Sequence, residues 1–363
     1  MIPRRPGTAW REQIPADLRG ELDLADRRMG AGVVAANDET FADKENLVQP
    51  HEPVFEPHTF GNKGQVYDGW ETRRRREPGA DWVVVRLGAP GEISAVVVDT
   101  AHFTGNFPPE CELHACWAPG WPSSAELAGE GVGWTPLVPR SELAGDSRTV
   151  LRPWRPVRAT HVRLTIHPDG GVARLRVLGS VVPDPSRWAD VGLDLAALVN
   201  GGRVVDCSDR FYSSADQVIL PGSAAGMGDG WETWRRRDDG NDWLLLRLAG
   251  AGQVRVVEVD STHFVGNAPG AVRVTGCVGD PPGSGWVELL PRTALQPDTP
   301  HWFTIGGTHP AVDHVRVDVY PDGGLARVRT LGHLTEPARA AVEARWRAGD
   351  DGADGRGAAG GVR

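Results

Sequence analysis

The chain has 363 residues, 40% of them hydrophobic and 24% charged, a balance that fits globular domains and excludes wholesale disorder. Its formal charge of −9 argues against a general nucleic-acid binder, and no run of about 18 apolar residues is present to span a membrane. Cys111, Cys116, Cys207 and Cys277 form no CxxC pair or zinc spacing, and no apolar leader follows Met1, so a cytoplasmic protein is expected.

In chain order, an extension over residues 1–21 comes first. The segment opening DGWETRRRR at Asp68 then returns at Asp229 as DGWETWRRR. Over 68–108 a shift of 161 matches 22 of 41 positions without a gap, which marks a duplication. Upstream the shift is 171 and downstream it is 153. The first copy therefore carries ten extra residues within 51–63, and the second loses eight in the loops after the matched block. Repeat 1 spans 22–182, a Pro-punctuated linker 183–192, and repeat 2 spans 193–335. Residues 336–363 read as a C-terminal helix over PARAAVEARWRAG and a low-complexity, disordered tail.

Within each repeat the apolar residues alternate or run in short stretches. Trp82–Leu87, Ile93–Val98, His161–Ile166 and Arg174–Leu178 are the predicted strands, each with a partner in repeat 2. Seventy-five Gly and Pro punctuate them, and helical periodicity is nearly absent. The fold class is all-β, with two tandem sandwiches. Asp68 and Asp229 are read as turn residues accepting backbone hydrogen bonds, and Trp82 and Trp243 as core. Pro168-Asp169-Gly170-Gly171 and its counterpart at 321–324 are read as hairpin turns. Arg174 and Arg176, like Arg327 and Arg329, alternate along a strand, share a face, and either line a site or pair with acids of the partner domain.

Two shared features remain after the framework is subtracted. The first is Glu71 followed by Arg74 and Arg75, mirrored by Glu232, Arg235 and Arg236; guanidinium forks suit carboxylates, and a solvated charge cluster is the plain alternative. The second is Asp99-x-x-His102-Phe103-x-Gly105-Asn106, mirrored by Asp260, His263 and Asn267 where a strand gives way to a loop. An Asp that orients a His fixes its tautomer for acid–base work; alternatively the pair only ties down a loop. His51, Glu52 and His58 in the insertion read as loop decoration, with a divalent metal as the weaker option, so no metal ligand is assigned. Nucleophile elbow, Walker and zincin motifs are absent.

Lys44-Glu45-Asn46-Leu47, DGWETRRRR and DTAHFTGNFPP together closely resemble the allantoicase family, over roughly residues 22–335. Each repeat also resembles discoidin-type, galactose-binding-like jelly rolls, best seen at Asp229, Gly230, Thr233, Trp234, Trp243 and Leu248. The resemblance implies two tandem jelly rolls, a homo-oligomer, and hydrolysis of allantoate to (S)-ureidoglycolate and urea in purine catabolism; no cofactor is assigned, with a divalent metal the weaker option. If urea leaves intact, the broken bond joins the central carbon to a ureido nitrogen. The site then has to protonate that nitrogen and deliver water. On this reading Asp99 and His102 form an acid–base pair, Glu71 is the second carboxylate, Arg74 and Arg75 clamp the substrate carboxylate, and Asn106 reads a ureido group. Asp260, His263, Glu232, Arg235, Arg236 and Asn267 are their repeat-2 equivalents. Repeat 2 has Trp234 for Arg73 and Ala268 for Phe107, which points to an altered or inactive pocket; one repeat, both repeats or a site straddling an interface are all open, and the extra insertion tilts the assignment towards repeat 1. The rival is a non-enzymatic binding module, which would favour exposed aromatic platforms at the sandwich rim.

Overall fold

The computed structural model describes residues 9–129, 131–188, 192–279 and 285–354. It is all-β apart from short helical turns and a C-terminal helix, and it divides into two compact units, Met1–Val182 and Pro183–Arg363. Each unit holds an eight-stranded jelly-roll sandwich of the same topology.

One long strand organises each sandwich. In repeat 1 the separately expected strands at 82–87 and 93–98 are two halves of Asp81–Asp99, bent at Gly88-Ala89-Pro90-Gly91. The first half pairs antiparallel with Val157–His167 and Gly32–Ala36; the second pairs with Arg174–Val181 and Arg148–Leu151. Glu110–Cys116 adds to the other edge of Val157–His167. Side chains alternate along these strands, and Val83, Val85, Ile93, Val96 and Val98 of the long strand are fully buried. In repeat 2, Asp242–Asp260 plays the same part, flanked by Val312–Tyr320 and Arg327–Leu334.

Three expectations change. Trp70 and Trp231, both 0% exposed, fill the core positions expected of Trp82 and Trp243. Trp82 and Trp243 are half-buried beneath Arg163 and Arg316, at 4.8 and 4.4 Å from guanidinium carbon to ring centroid, and Trp82 packs against a smaller cluster of Val84, Cys116 and Leu127. The 168–171 turn is not a hairpin, because the strands it joins pair with opposite halves of Asp81–Asp99 and not with each other. It is a crossing between the two sides of the sandwich. The C-terminal helix runs over Glu336–Asp354, further than the sequence suggested; the remaining tail, 355–363, lies outside the described residues.

The extension before repeat 1 belongs to its packing. Trp10, Ile14 and Leu18 are 5%, 2% and 2% exposed and cover Ala95, Val97, Leu178 and Val150. At about 1.5–3 kcal/mol per large apolar side chain, that cover is a substantial part of the unit's stability.

His161 sits in this core at 1% exposure, with Nδ1 2.9 Å from the Thr160 hydroxyl. Burial and the nearby Arg86 push its pKa down to about 4 from 6.5. The native chain therefore refuses a proton that the unfolded chain accepts, and the stability so gained is complete above pH 6.5 and lost as pH falls towards 4. The loss amounts to about 3 kcal/mol at its limit. Urea melts at a series of pH values should show it, and His161→Leu should flatten the slope between pH 6.5 and 4; an unchanged slope would locate the acid sensitivity elsewhere.

Candidate active site

The rim at the end of Asp81–Asp99 gathers most of the residues singled out from the sequence. Glu71 lies on the short strand Trp70–Glu71, which pairs with Gly171–Val172, so the crossing turn holds the carboxylate in place. Gly171 N–H donates to the Asn106 carbonyl at 2.7 Å, joining the turn to the loop after Asp99. A Cβ on Gly171 would lie 2.0 Å from the Phe103 ring, and Gly170 has φ +144 with Asn106 O and Pro108 N under 3 Å from its own ideal Cβ. Both turn glycines are therefore set by close approach.

The closest functional contact on this rim joins Glu71 and Asn106. Asn106 Nδ2 donates to Glu71 Oε1 at 2.6 Å, and Glu71 is only 9% exposed. Burial pushes its pKa above the ordinary glutamate value, while the Asn106 hydrogen bond pulls the other way. A carboxyl in this setting holds its proton longer than a solvated one, as a general acid requires. Repeat 2 repeats the contact, Asn267 Nδ2 to Glu232 Oε1 at 2.6 Å.

Asp99 and His102 do not pair. Asp99 Oδ1 accepts from its neighbour Ala101 N at 2.9 Å, and Oδ2 accepts from Arg148 Nε at 2.7 Å. Arg148 also reaches Glu52 through Nη2, so it bridges two carboxylates. His102 turns away because its backbone is left-handed, φ +69, a conformation uncommon outside glycine. Asp146 pins it there by accepting His102 N–H at 2.8 Å. The imidazole stacks on Phe55 at 5.8 Å, and Nε2 lies 3.2 Å from the Pro53 carbonyl. A carbonyl can only accept, so Nε2 carries the proton and the neutral ring keeps its lone pair on Nδ1. The tautomer is thus fixed by the Pro53 backbone oxygen, which precedes the inserted residues, and not by Asp99. His263 repeats the arrangement: φ +74, N–H to Asp298 at 2.7 Å, Nε2 3.0 Å from Ala224 O. Asp260 instead accepts from Thr262 N and Oγ1, and Pro300 occupies the strand position of Arg148.

The arginines separate into two groups. Arg75 Nη1 is 2.6 Å from Asp81, a carboxylate at 1% exposure, and Arg75 N–H donates to Asp169. Arg236 makes the same contacts with Asp242 and Asp322. Both are framework cations and not a substrate clamp. Arg74 and Arg235 are exposed and remain available. Arg174 and Arg327 are buried on Asp68 and Asp229, while Arg176 and Arg329 engage Asp23 and Asp194, all within their own repeats. The expected turn role of Asp68 and Asp229 is seen, since each also accepts a backbone N–H, from Val54 and Ala225.

His51, Glu52 and His58 do not assemble as ligands. Glu52 is taken by Trp10 N–H and Arg148, and His51 Nδ1 accepts from Arg174. Among the described residues no cluster of three or more His, Cys, Asp or Glu is placed to hold a metal. Burial pushes the Cys111 and Cys116 thiols up to about 12, so neither offers a thiolate nucleophile. Sequence reading missed Arg148, Asp146 and Pro53; the first is absent from repeat 2, and the last acts through its backbone.

Each duplicated jelly roll thus carries, at its rim, a carboxyl held by an amide and an imidazole whose tautomer is set by a backbone carbonyl. The family model for the allantoicase repeat matches this chain twice, over 22–182 and 193–335. A probable allantoicase of Nocardia farcinica is 55% identical over 313 residues, covering 86% of this chain and 94% of the relative. One from Streptomyces avermitilis is 48% identical over 335 residues, 89% and 88% of the two chains. The crystal structure of allantoicase from Saccharomyces cerevisiae superposes with a TM-score of 0.73 at 33% identity, covering 90% of this chain and 97% of that one. The chain belongs to the allantoicase family.

The framework role of Arg75 is open to measurement. Arg75→Ala strands the buried Asp81 carboxylate and should cost about 2–3 kcal/mol in denaturant melts. Arg74→Ala, at an exposed site, should cost less than about 0.5 kcal/mol. Equal costs would remove the distinction.

Proposed function

We propose that the protein hydrolyses allantoate to (S)-ureidoglycolate and urea, with the working site at the rim of repeat 1. Family membership supplies the reaction, and the buried Glu71–Asn106 contact carries the assignment of the site. The substrate has two ureido groups and one carboxylate on a single carbon. Glu71, protonated, gives its proton to the departing ureido nitrogen as the central carbon–nitrogen bond breaks. His102 Nδ1 takes a proton from the water that adds to that carbon. The water oxygen becomes the hydroxyl of ureidoglycolate, and urea leaves neutral. Arg74 supplies the exposed cation for the substrate carboxylate, and the Asn106 amide, already on Glu71, borders the ureido group.

Repeat 1 is favoured because Arg148 ties Glu52 to Asp99 there, whereas repeat 2 carries Ser223 and Pro300 at the corresponding positions. The resemblance further supports a homo-oligomer, which sedimentation would measure. Four free cysteines accord with a reducing cytoplasm, and no described helix is long and apolar enough to cross a membrane.

Pure protein incubated with allantoate should release urea and ureidoglycolate in equal amounts. No turnover, with or without added divalent cation, would leave the binding-module reading in its place. Glu71→Gln and His102→Ala should lower kcat by about 10²-fold or more, at least tenfold beyond the loss from Glu232→Gln and His263→Ala. Losses of equal size in the two repeats would overturn the choice of repeat 1.

The pH profile offers a separate check. Asn106→Ala removes the hydrogen bond that lowers the Glu71 pKa, so that pKa climbs further. Glu71 then stays protonated to higher pH, and the alkaline limb of kcat should move up. A limb that stays or moves down would show that Glu71 is not the acid.

A further inference from the structure

The rim of repeat 2 keeps the polar pair but changes its walls. On the segments that flank Glu232 and Asn267 in the fold, Phe211, Tyr212, Met227 and Trp234 are 39%, 47%, 47% and 50% exposed. The three rings touch: Phe211 lies 4.6 Å from Trp234 and 4.8 Å from Tyr212, while Tyr212 and Trp234 are near-parallel at 6.0 Å. They are joined to the carboxylate by the chain itself. Trp234 follows Glu232 by two residues, Ser213 Oγ accepts Glu232 N–H at 3.0 Å, and Met227 Sδ lies 3.7 Å from Asn267 Nδ2. In repeat 1 the position of Trp234 is Arg73, held on Asp38 at 3.2 Å, and that of Phe211 is Thr40, so the three-ring cluster is reduced to the exposed Phe41 at the place of Tyr212.

An exposed aromatic cluster beside a largely shielded acceptor is costly to leave in water and well suited to a flat ligand with N–H groups. We propose that the rim of repeat 2 is a second ureide-binding site, which takes a planar ureido group against Trp234 and Tyr212 with its N–H groups directed to Glu232. It lacks the Arg148 bridge, since Pro300 stands there, and it binds without turnover. This rests on reading Glu71–Asn106 as the ureide pocket of repeat 1. The shared pair gives both rims affinity for the ureido group, while the walls separate an anion-seeking rim from an aromatic one. The second site would let the protein respond to ureide concentration independently of the first.

Hydantoate is a fitting probe, because it carries one ureido group and one carboxylate on a single carbon and no second urea to lose. Calorimetric titration of the full chain should give two sites per chain. Trp234→Ala and Tyr212→Ala should each weaken one by tenfold or more, Glu71→Gln should remove the other, and the double variant Glu71→Gln/Trp234→Ala should bind at neither. One site, lost in Glu71→Gln and indifferent to Trp234→Ala and Tyr212→Ala, overturns the second site and leaves the first standing. Binding that survives Glu71→Gln but not Trp234→Ala supports the second site and counts against the first. A changed sedimentation rate in Trp234→Ala with superimposable isotherms overturns the proposal and makes the cluster an interface between copies. So does aromatic-dependent binding of galactose with no such dependence for hydantoate.

Discussion

A fully buried guanidinium holds each rim together. Arg174, at 0% exposure, donates through Nη1 to the carbonyls of Asp68 and Ala173, through Nη2 to the Asp68 carboxylate and His51 Nδ1, and through Nε to the His51 carbonyl. Desolvation makes such a cation expensive, and complete satisfaction of its donors is what renders it tolerable. Those donors reach a strand, the turn opening DGWE and the segment at His51 that precedes the insertion. Arg327 does the same with Asp229, Ala326 and Gly222. Loops that would otherwise move independently are therefore referred to one buried charge, and Glu71 lies three residues beyond Asp68.

From that anchor the site follows by short steps. Trp70 buries its indole and gives its N–H to the Asp38 carbonyl, so the next residue, Glu71, is fixed in depth. The crossing turn fixes it laterally through Gly171, and the same glycine fixes Asn106. The loop between Asp99 and Asn106 then has to reverse within a few residues, and it does so through His102. Among the described residues only five outside glycine have positive φ, and His102, Asp146, His263 and Asp298 are four of them. Backbone strain is thus concentrated on the two histidine–aspartate contacts, in both repeats, where a rim imidazole has to be aimed.

Much of this was legible in the sequence because duplication is itself a measurement. Residues unchanged between two otherwise diverged copies marked Glu71, His102 and Asn106 as belonging to one rim, and strand alternation marked the sandwich. Pairings were another matter. Asp99 and His102 looked like partners because three residues separate them, yet an extended carboxylate and a left-handed imidazole point apart. Asp81 and Arg75 are as near in sequence as a clamp could wish, but the aspartate is buried and claims the arginine. Trp82 alternates correctly for a core residue, yet it is only half-buried, over the smaller cluster of Val84, Cys116 and Leu127. Arg148 left no trace because repeat 2 carries Pro300 in its place.

The divergence of the two rims follows from which contacts the fold can release. The Arg–Asp anchor, the crossing turn and the Glu–Asn contact are interlocked through buried polar groups, so loss of any one strands another, and both repeats retain all three. The walls carry no such obligation. Arg73 and Trp234, Phe107 and Ala268, and the presence or absence of the 51–63 insertion all lie outside the interlocked set, where substitution costs little in stability. A duplicated sandwich of this kind therefore preserves its polar pocket twice by necessity while its walls drift apart, and differences in ligand preference between the repeats should be sought in those walls.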